Sequence, residues 1–185
     1  MSVAPLTPPS GGWSPEEYDA LPVDGYRREL VDGVLHVSPS PTGRHQRVAL
    51  RLGAALDLTA PAEYVVTQAV EVKLAENLRY IPDLLAVTAE AFGDGSRPLY
   101  RPHQVALAIE IVSDSSRGMD RILKPSHYAA AGIPHYWRVE LSPELNVHTY
   151  ELGLSGEYVA TGEHSKTLTV SAPWPITLDL AQIDR

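Results

Sequence analysis

Hydrophobic residues change their spacing several times along this chain, and each change marks an element. Ser14-Pro15-Glu16-Glu17 has the form of a helix start. The serine caps, the proline lacks an N–H that the first turn does not need, and the acids suit the positive helix N-terminus. The helix it opens is short. RRELVDGVLHVSP places β-prone arms on either side of Asp32-Gly33, a pair that accepts the positive φ angles of a tight hairpin turn. From Gly43 to Leu58, Val48, Leu50, Leu52, Ala55 and Leu56 recur at helical spacing, with the arginines mostly on the other side. YVVTQAVEVKLA and RYIPDLLAVTA are β-rich runs flanking Glu76-Asn77, which predicts a second hairpin or a pair of sheet neighbours.

HQVALAIEIVS is apolar almost throughout, with one charge inside it, the pattern of a strand buried on both faces. SDSSRGMDRILKPSHYAAAGIP predicts a capped helical segment that ends at Gly132, with Pro134 just beyond. HYWRVE returns as a strand. NVHTYEL, EYVATGE and TLTV are short β segments before a Trp/Pro-containing end. The order predicts an α/β fold, a mixed central β-sheet flanked by helices with extra C-terminal β segments.

The 185 residues suit one domain with a real core, expected over 14–185. Residues 1–13, rich in Pro, Gly and Ser, are expected to be mobile. The absence of cysteine excludes disulfides, thiolate metal sites and a cysteine nucleophile, so a metal must be held by carboxylates, histidines, carbonyls and water. MSVAPLTPPSGG has no basic start followed by an apolar run, and no stretch approaches the roughly 20 apolar residues of a membrane span. A cytoplasmic location without membrane contact is expected. The net charge of −8 is concentrated in the tail, where residues 140–185 hold seven acids and two bases. Basic clusters lie elsewhere: Arg44, His45, Arg47 and Arg51; Arg97, Arg101 and His103; Arg117, Arg121 and Lys124. This balance argues against tight, non-specific nucleic-acid binding without excluding nucleic acid.

Glu110 interrupts VALAIEIV, where an unpaired carboxylate costs several kcal/mol or is forced to hold a proton. A bound cation would compensate. So would a buried ion pair with an arginine, or an exposed strand edge. Asp83 enters an apolar run just after Pro82, either as a strand-start cap or as a second site acid. Glu29, beside Leu30 and Val31, either faces solvent or joins them. Two or three converging carboxylates without cysteine or paired histidines favour a hard ion such as Mg²⁺. Lys124, one of three lysines in the chain, follows the Glu110 strand together with Asp120. It is either a solvated helix lysine or the site's amine.

PDLLAV, AIEIVSDSS, a DRxxK element and YAAAGIPHYWRVE, with YRRELVDGVLHVSP and the RHQRVALRL helix upstream, resemble restriction-endonuclease-like proteins of the Uma-two type. These fall within the PD-(D/E)xK superfamily, and the resemblance covers about residues 14–152. It implies a mixed sheet with a metal at one end, and it puts the pattern's acids on Asp83 and Glu110 and an early acid on Glu29. The lysine usual two residues after the second acid is absent, since Val112 stands there; the resemblance implies Lys124 in its place. Asp83, Glu110 and the main-chain carbonyl of Ile111 would then hold Mg²⁺ (or Mn²⁺), with Glu29 orienting a water or a second ion. Lys124 would act in the chemical step, its loss sparing fold and metal. Arg44, Arg47, Arg117 and Arg121 would contact the backbone of nucleic acid, taken to be DNA, and two cuts in two strands imply a homodimer.

Lys124 precedes Pro125, so either a helix starts at Pro125 or a longer helix bends there. No two histidines have metal-ligand spacing, and all seven are read as structural or solvent-facing. The serines from Ser113 to Ser116 read as helix caps, and Tyr128, Tyr136 and Trp137 as core or helix-docking aromatics. Two rivals from other classes stand beside the nuclease: the same fold kept as a non-catalytic scaffold binding protein or nucleic acid, and a carboxylate-only hydrolase such as a glycosidase.

Overall fold

The computed structural model describes residues 9–96, 98–113 and 117–185. Its elements in chain order are α1 (Pro15–Asp19), β1 (Arg27–Val31), β2 (Val34–Ser38), α2 (Gly43–Asp57), β3 (Tyr64–Gln68), β4 (Glu71–Ala75), β5 (Leu78–Tyr80) and β6 (Leu84–Thr88). Then follow α3 (Ala89–Phe92), β7 (Leu99–Tyr100), β8 (Val105–Val112), a π-helical turn at Met119–Leu123, α4 (Lys124–Ala130), β9 (His135–Glu140) and β10 (Asn146–Leu152). β11 (Tyr158–His164), β12 (Thr167–Val170), β13 (Ile176–Asp179) and α5 (Leu180–Ile183) close the chain. Arg97, Ser115 and Ser116 lie outside the described residues, as do residues 1–8 of the N-terminal segment.

The fold is α/β, and its main sheet is mixed, in the order β11-β10-β9-β8-β6-β3. β8 and β9 run parallel while the other pairs are antiparallel. A second sheet, β2-β1-β5-β4-β7, stands beside it. The expected C-terminal β segments divide: β10 and β11 extend the main sheet, and β12 and β13 pair as a small ribbon. The single central sheet expected from the pattern thus becomes two, and the reason lies in the two β-rich runs. Each crosses between sheets. YVVTQAVEVKLA gives β3 to the main sheet and β4 to the second, turning at Ala69, whose φ is +54°. RYIPDLLAVTA gives β5 to the second sheet and β6 to the main one, turning at Pro82 and Asp83. The β4–β5 hairpin closes around Glu76-Asn77.

The β1–β2 hairpin turns at Asp32 (φ +48°) and Gly33 (φ +79°), both in the left-handed region that a two-residue turn of this hand requires. Trp13 donates its backbone N–H to Gly33 at 2.7 Å, so the end of the N-terminal segment rests on that turn. α1 opens on Ser14, which exchanges hydrogen bonds with Glu17 in a capping box.

The core lies on both faces of the main sheet. On one, His45, Val48, Ala49, Leu52 and Leu56 of α2 are buried, and the last four pack on Leu84, Ala86, Leu107, Ile109, Trp137 and the C-terminal apolar residues. Removing each such leucine from water contributes roughly 1.5–3 kcal/mol. Leu50, which the spacing assigns to this stripe, is 64% exposed because the helical period turns it away. Gly53 permits the close approach of α2, since a Cβ there would meet Leu84 at 2.9 Å. On the other face Leu85, Val87 and Ala108 meet Tyr80, Tyr128, Ile133 and Tyr136. All eight residues of β8 are buried, as the apolar run predicts.

Candidate active site

β-Register brings the acids together. β6 and β8 pair antiparallel with Leu84 opposite Ile109, which sets Asp83, one residue earlier, beside Glu110, one residue later. Alternation along β8 turns Glu110 to the face of Ala108 and Tyr128, away from α2. β1 pairs with β5, and Glu29 accepts a hydrogen bond from the Ile81 amide at 2.8 Å. The acids thus meet where the chain crosses between the two sheets.

Lys124 enters from the following helix. The π-helical turn runs directly into α4, and Lys124 has helical dihedrals (φ −58°, ψ −49°) despite Pro125. One continuous, irregular helical segment therefore presents the ammonium. Its Nζ lies 3.1 Å from Glu29 Oε1, 3.1 Å from Glu110 Oε1 and 3.3 Å from Asp120 Oδ1, and it sits over the Tyr80 ring. Tyr128, one helical turn beyond Lys124, donates its hydroxyl to Glu110 Oε1 at 2.7 Å.

Asp83 has partners on both oxygens. Oδ1 accepts from Arg27 Nη1 at 2.6 Å. Oδ2 accepts from the Ile111 amide at 2.8 Å and lies 3.3 Å from His45 Nε2. His45 Nε2 also stands 3.0 Å from the Ile111 carbonyl, to which it donates. Arg27 Nη2 donates to the Ile81 carbonyl and lies 3.9 Å from both Glu29 and Glu110.

The electrostatics are those of charges confined together. Burial would raise the Asp83 carboxyl, but the His45 hydrogen bond and the Arg27 guanidinium outweigh it and hold Asp83 well below the usual range. Glu110 goes the other way: complete burial, with Asp120 and Asp83 nearby, raises it well above the usual carboxylate value against the pull of Lys124 and Arg27. Burial would lower the Lys124 ammonium, yet Glu110, Glu29 and Asp120 keep it above its ordinary value. Lys124 is therefore a fixed positive charge here, not a free base.

The sequence profile of a family described as "Putative restriction endonuclease" matches residues 15–181 of this chain. The chain belongs to the Uma2 family. Among solved structures it is similar to the crystal structure of "a putative nuclease belonging to DUF820 from Anabaena variabilis", with 13% sequence identity over 92% of this chain and 97% of that one, at a TM-score of 0.73. At that identity the likeness carries the fold alone. No curated protein matches the chain.

The Uma2 chain brings Glu29, Asp83, Glu110, Lys124 and the Ile111 main chain into one cluster. It does not bring the four arginines there. Arg44, Arg47, Arg117 and Arg121 are all on the surface. Arg44 makes a two-pronged ion pair with Asp184, and Arg121 one with Glu140. Two cluster residues do not stand out in the sequence. Arg27 precedes Glu29 by two, which on a strand places both on one face. His45 lies three and four residues before Val48 and Ala49, on the buried stripe of α2. Each spacing puts the residue on a face shared with its neighbours, but neither identifies its partners.

The donor set of this Uma2 chain suits a hard divalent ion. Glu29, Asp83, Glu110 and Asp120 are buried oxygen donors, and among the described residues Arg27 and Lys124 form ion pairs with them. Among the described residues no three histidine or acid side chains stand in a metal-holding arrangement. The Arg27 guanidinium reaches Asp83 from one end and approaches Glu110 at the other.

Proposed function

We propose that this Uma2 protein is a divalent-metal-dependent endonuclease that hydrolyses phosphodiester bonds in DNA. The observation that carries the reading is the buried convergence of Asp83, Glu110 and Glu29 with Lys124, with the main-chain carbonyl of Ile111 joined to the Asp83 carboxylate through His45. Asp83, Glu110 and that carbonyl would hold the Mg²⁺ or Mn²⁺, which when bound supplies a water of lowered pKa and a Lewis acid at the phosphate.

The chain's own residues do the rest. The Ile111 amide and His45 aim Asp83 by holding its Oδ2. Tyr128 and Lys124 orient Glu110. The Lys124 ammonium, kept charged by three carboxylates, turns the attacking water and offsets the charge that gathers on the phosphorus oxygens. Glu29 shares that ammonium and is placed to orient a water or to help hold a second ion. The surface arginines contribute steering. The reading places the enzyme with its DNA in the cytoplasm, as a homodimer that cuts two strands.

Incubation of supercoiled plasmid with the protein tests this. Nicking that requires Mg²⁺ or Mn²⁺ and is lost in Glu110→Gln supports the enzyme. One observation favours the scaffold reading instead: Arg27 and Lys124 already give the acids internal partners without metal. DNA retention with no metal-dependent nicking would decide for it.

A further inference from the structure

Two cations serve the carboxylate cluster, and they are held very differently. Lys124 is 3% exposed and has close contacts to three carboxylates. Arg27 comes from the open side. Its side chain is 28% exposed, it makes one close ion pair, to Asp83, and it stands 3.9 Å from Glu29 and Glu110. Its Nε is buried with no hydrogen-bond partner, a cost that a settled arginine normally avoids. The residue also lines an open cleft of about 370 Å³ together with Tyr26, Ala69 and Ile81, so open space adjoins it on the side away from the acids.

We propose that Arg27 is the internal competitor of the divalent cation, its guanidinium holding the place between Asp83 and Glu110 and swinging into the cleft when the cation binds. This rests on the metal reading above. Metal uptake is then an exchange of cations rather than the filling of a bare acid cluster. The exchange has a physical basis on both sides. Without metal, Lys124 serves Glu29, Glu110 and Asp120, and the Arg27 guanidinium pairs closely with Asp83 alone. A divalent ion brings twice the charge to the same oxygens, and the arginine it displaces recovers solvent for its unpaired Nε. Lys124 is not the competitor, because it has no exposed side and makes no contact with Asp83. An arrangement with Arg27 inside that outweighs the open one about tenfold weakens apparent metal affinity about tenfold.

Calorimetry of Mn²⁺ binding to the full chain, with thermal melts in and out of Mn²⁺, provides the test. Arg27→Met should bind Mn²⁺ about tenfold more tightly than the parent, melt lower without metal, and gain more from Mn²⁺. Arg27→Gln, which keeps a hydrogen-bond donor for Asp83 and loses the charge, should shift the same way if the methionine variant does not fold. Asp83→Asn should bind no Mn²⁺. Nitrogen-15 NMR of the arginine Nε–H groups in the parent should show one resonance moving to fast solvent exchange on adding Mg²⁺, and that resonance should be missing in Arg27→Gln. Parental or weaker affinity in both Arg27 variants, or an Arg27 resonance indifferent to Mg²⁺, overturns the exchange while leaving the metal site standing. Absence of Mn²⁺ binding from parent and variants alike overturns both readings.

Discussion

The Lys124 ammonium stands 3.1 Å from Glu110 Oε1, although the two residues belong to different elements and Val112 fills the place where a lysine would follow the acid directly. The π-helical turn and α4 fold back over β8, so the amine arrives through the tertiary structure rather than along the strand. The same geometry changes what removing Lys124 does. Nothing in the local sequence suggests that its loss would disturb the fold, but its burial among Glu29, Glu110 and Asp120 does.

Lys124→Met should lower the cleavage rate by on the order of 10²-fold or more. Without metal it should also lose about 3–5 kcal/mol of stability, because buried carboxylates lose their counterion. Single-turnover cleavage and denaturant melts separate the two effects, and Lys73→Met and Lys166→Met serve as controls. Full cleavage activity in Lys124→Met contradicts the assignment.

Asp83→Asn tests the partner network. From sequence alone, removing one of two adjoining acids should leave metal-free stability unchanged or higher. With Arg27, His45 and the Ile111 amide around Asp83, the variant should instead be less stable near neutral pH. The folded-state pKa of Asp83 is depressed, so its contribution is complete above the unfolded value, about 4. It is lost as the pH falls toward the folded value. Melts from pH 7 downward should show the parent's advantage over Asp83→Asn shrinking below about pH 4. A constant difference contradicts it.

Glu110 carries the opposite sign. Its folded-state pKa is raised, so its stabilising contribution is complete below the unfolded value and is lost as pH rises toward the folded one. A metal binds the ionised carboxylate, so Mn²⁺ affinity should increase with pH across that window. Calorimetry in buffers of different ionisation enthalpy would detect the released proton. A pH-independent affinity without proton release contradicts this account of Glu110.

Arg44→Ala combined with Arg47→Ala should flatten the slope of log DNA affinity against log salt by about one unit for each phosphate no longer neutralised. Arg44 already faces Asp184, so Arg47 should account for more of the change when each is replaced alone. An unchanged slope in the double variant removes α2 from the DNA-binding surface.

Much of this fold is legible in local sequence. The Asp32-Gly33 hairpin, the Ser14 cap, the β8 strand and the Gly132 stop each follow from rules that act over a few residues. The second sheet is not, because strand partnership depends on distant residues: β4 and β6 both look like ordinary strands, and only tertiary pairing sends them to different sheets. The cluster divides in the same way. Glu110 and Asp83 are conspicuous because a charge in an apolar run is costly. Arg27 and His45 are not, since an arginine in a polar hairpin arm and a histidine at a helix start are unremarkable until their partners are known.

The central claim is that Asp83 and Glu110 together hold a divalent cation. Crystals soaked in Mn²⁺ test it most directly, by anomalous diffraction. The account predicts a peak between the two carboxylates, beside the Ile111 carbonyl, with the Arg27 guanidinium withdrawn from Asp83. A well-ordered cluster without a peak, with Arg27 still paired to Asp83 at saturating Mn²⁺, would contradict it.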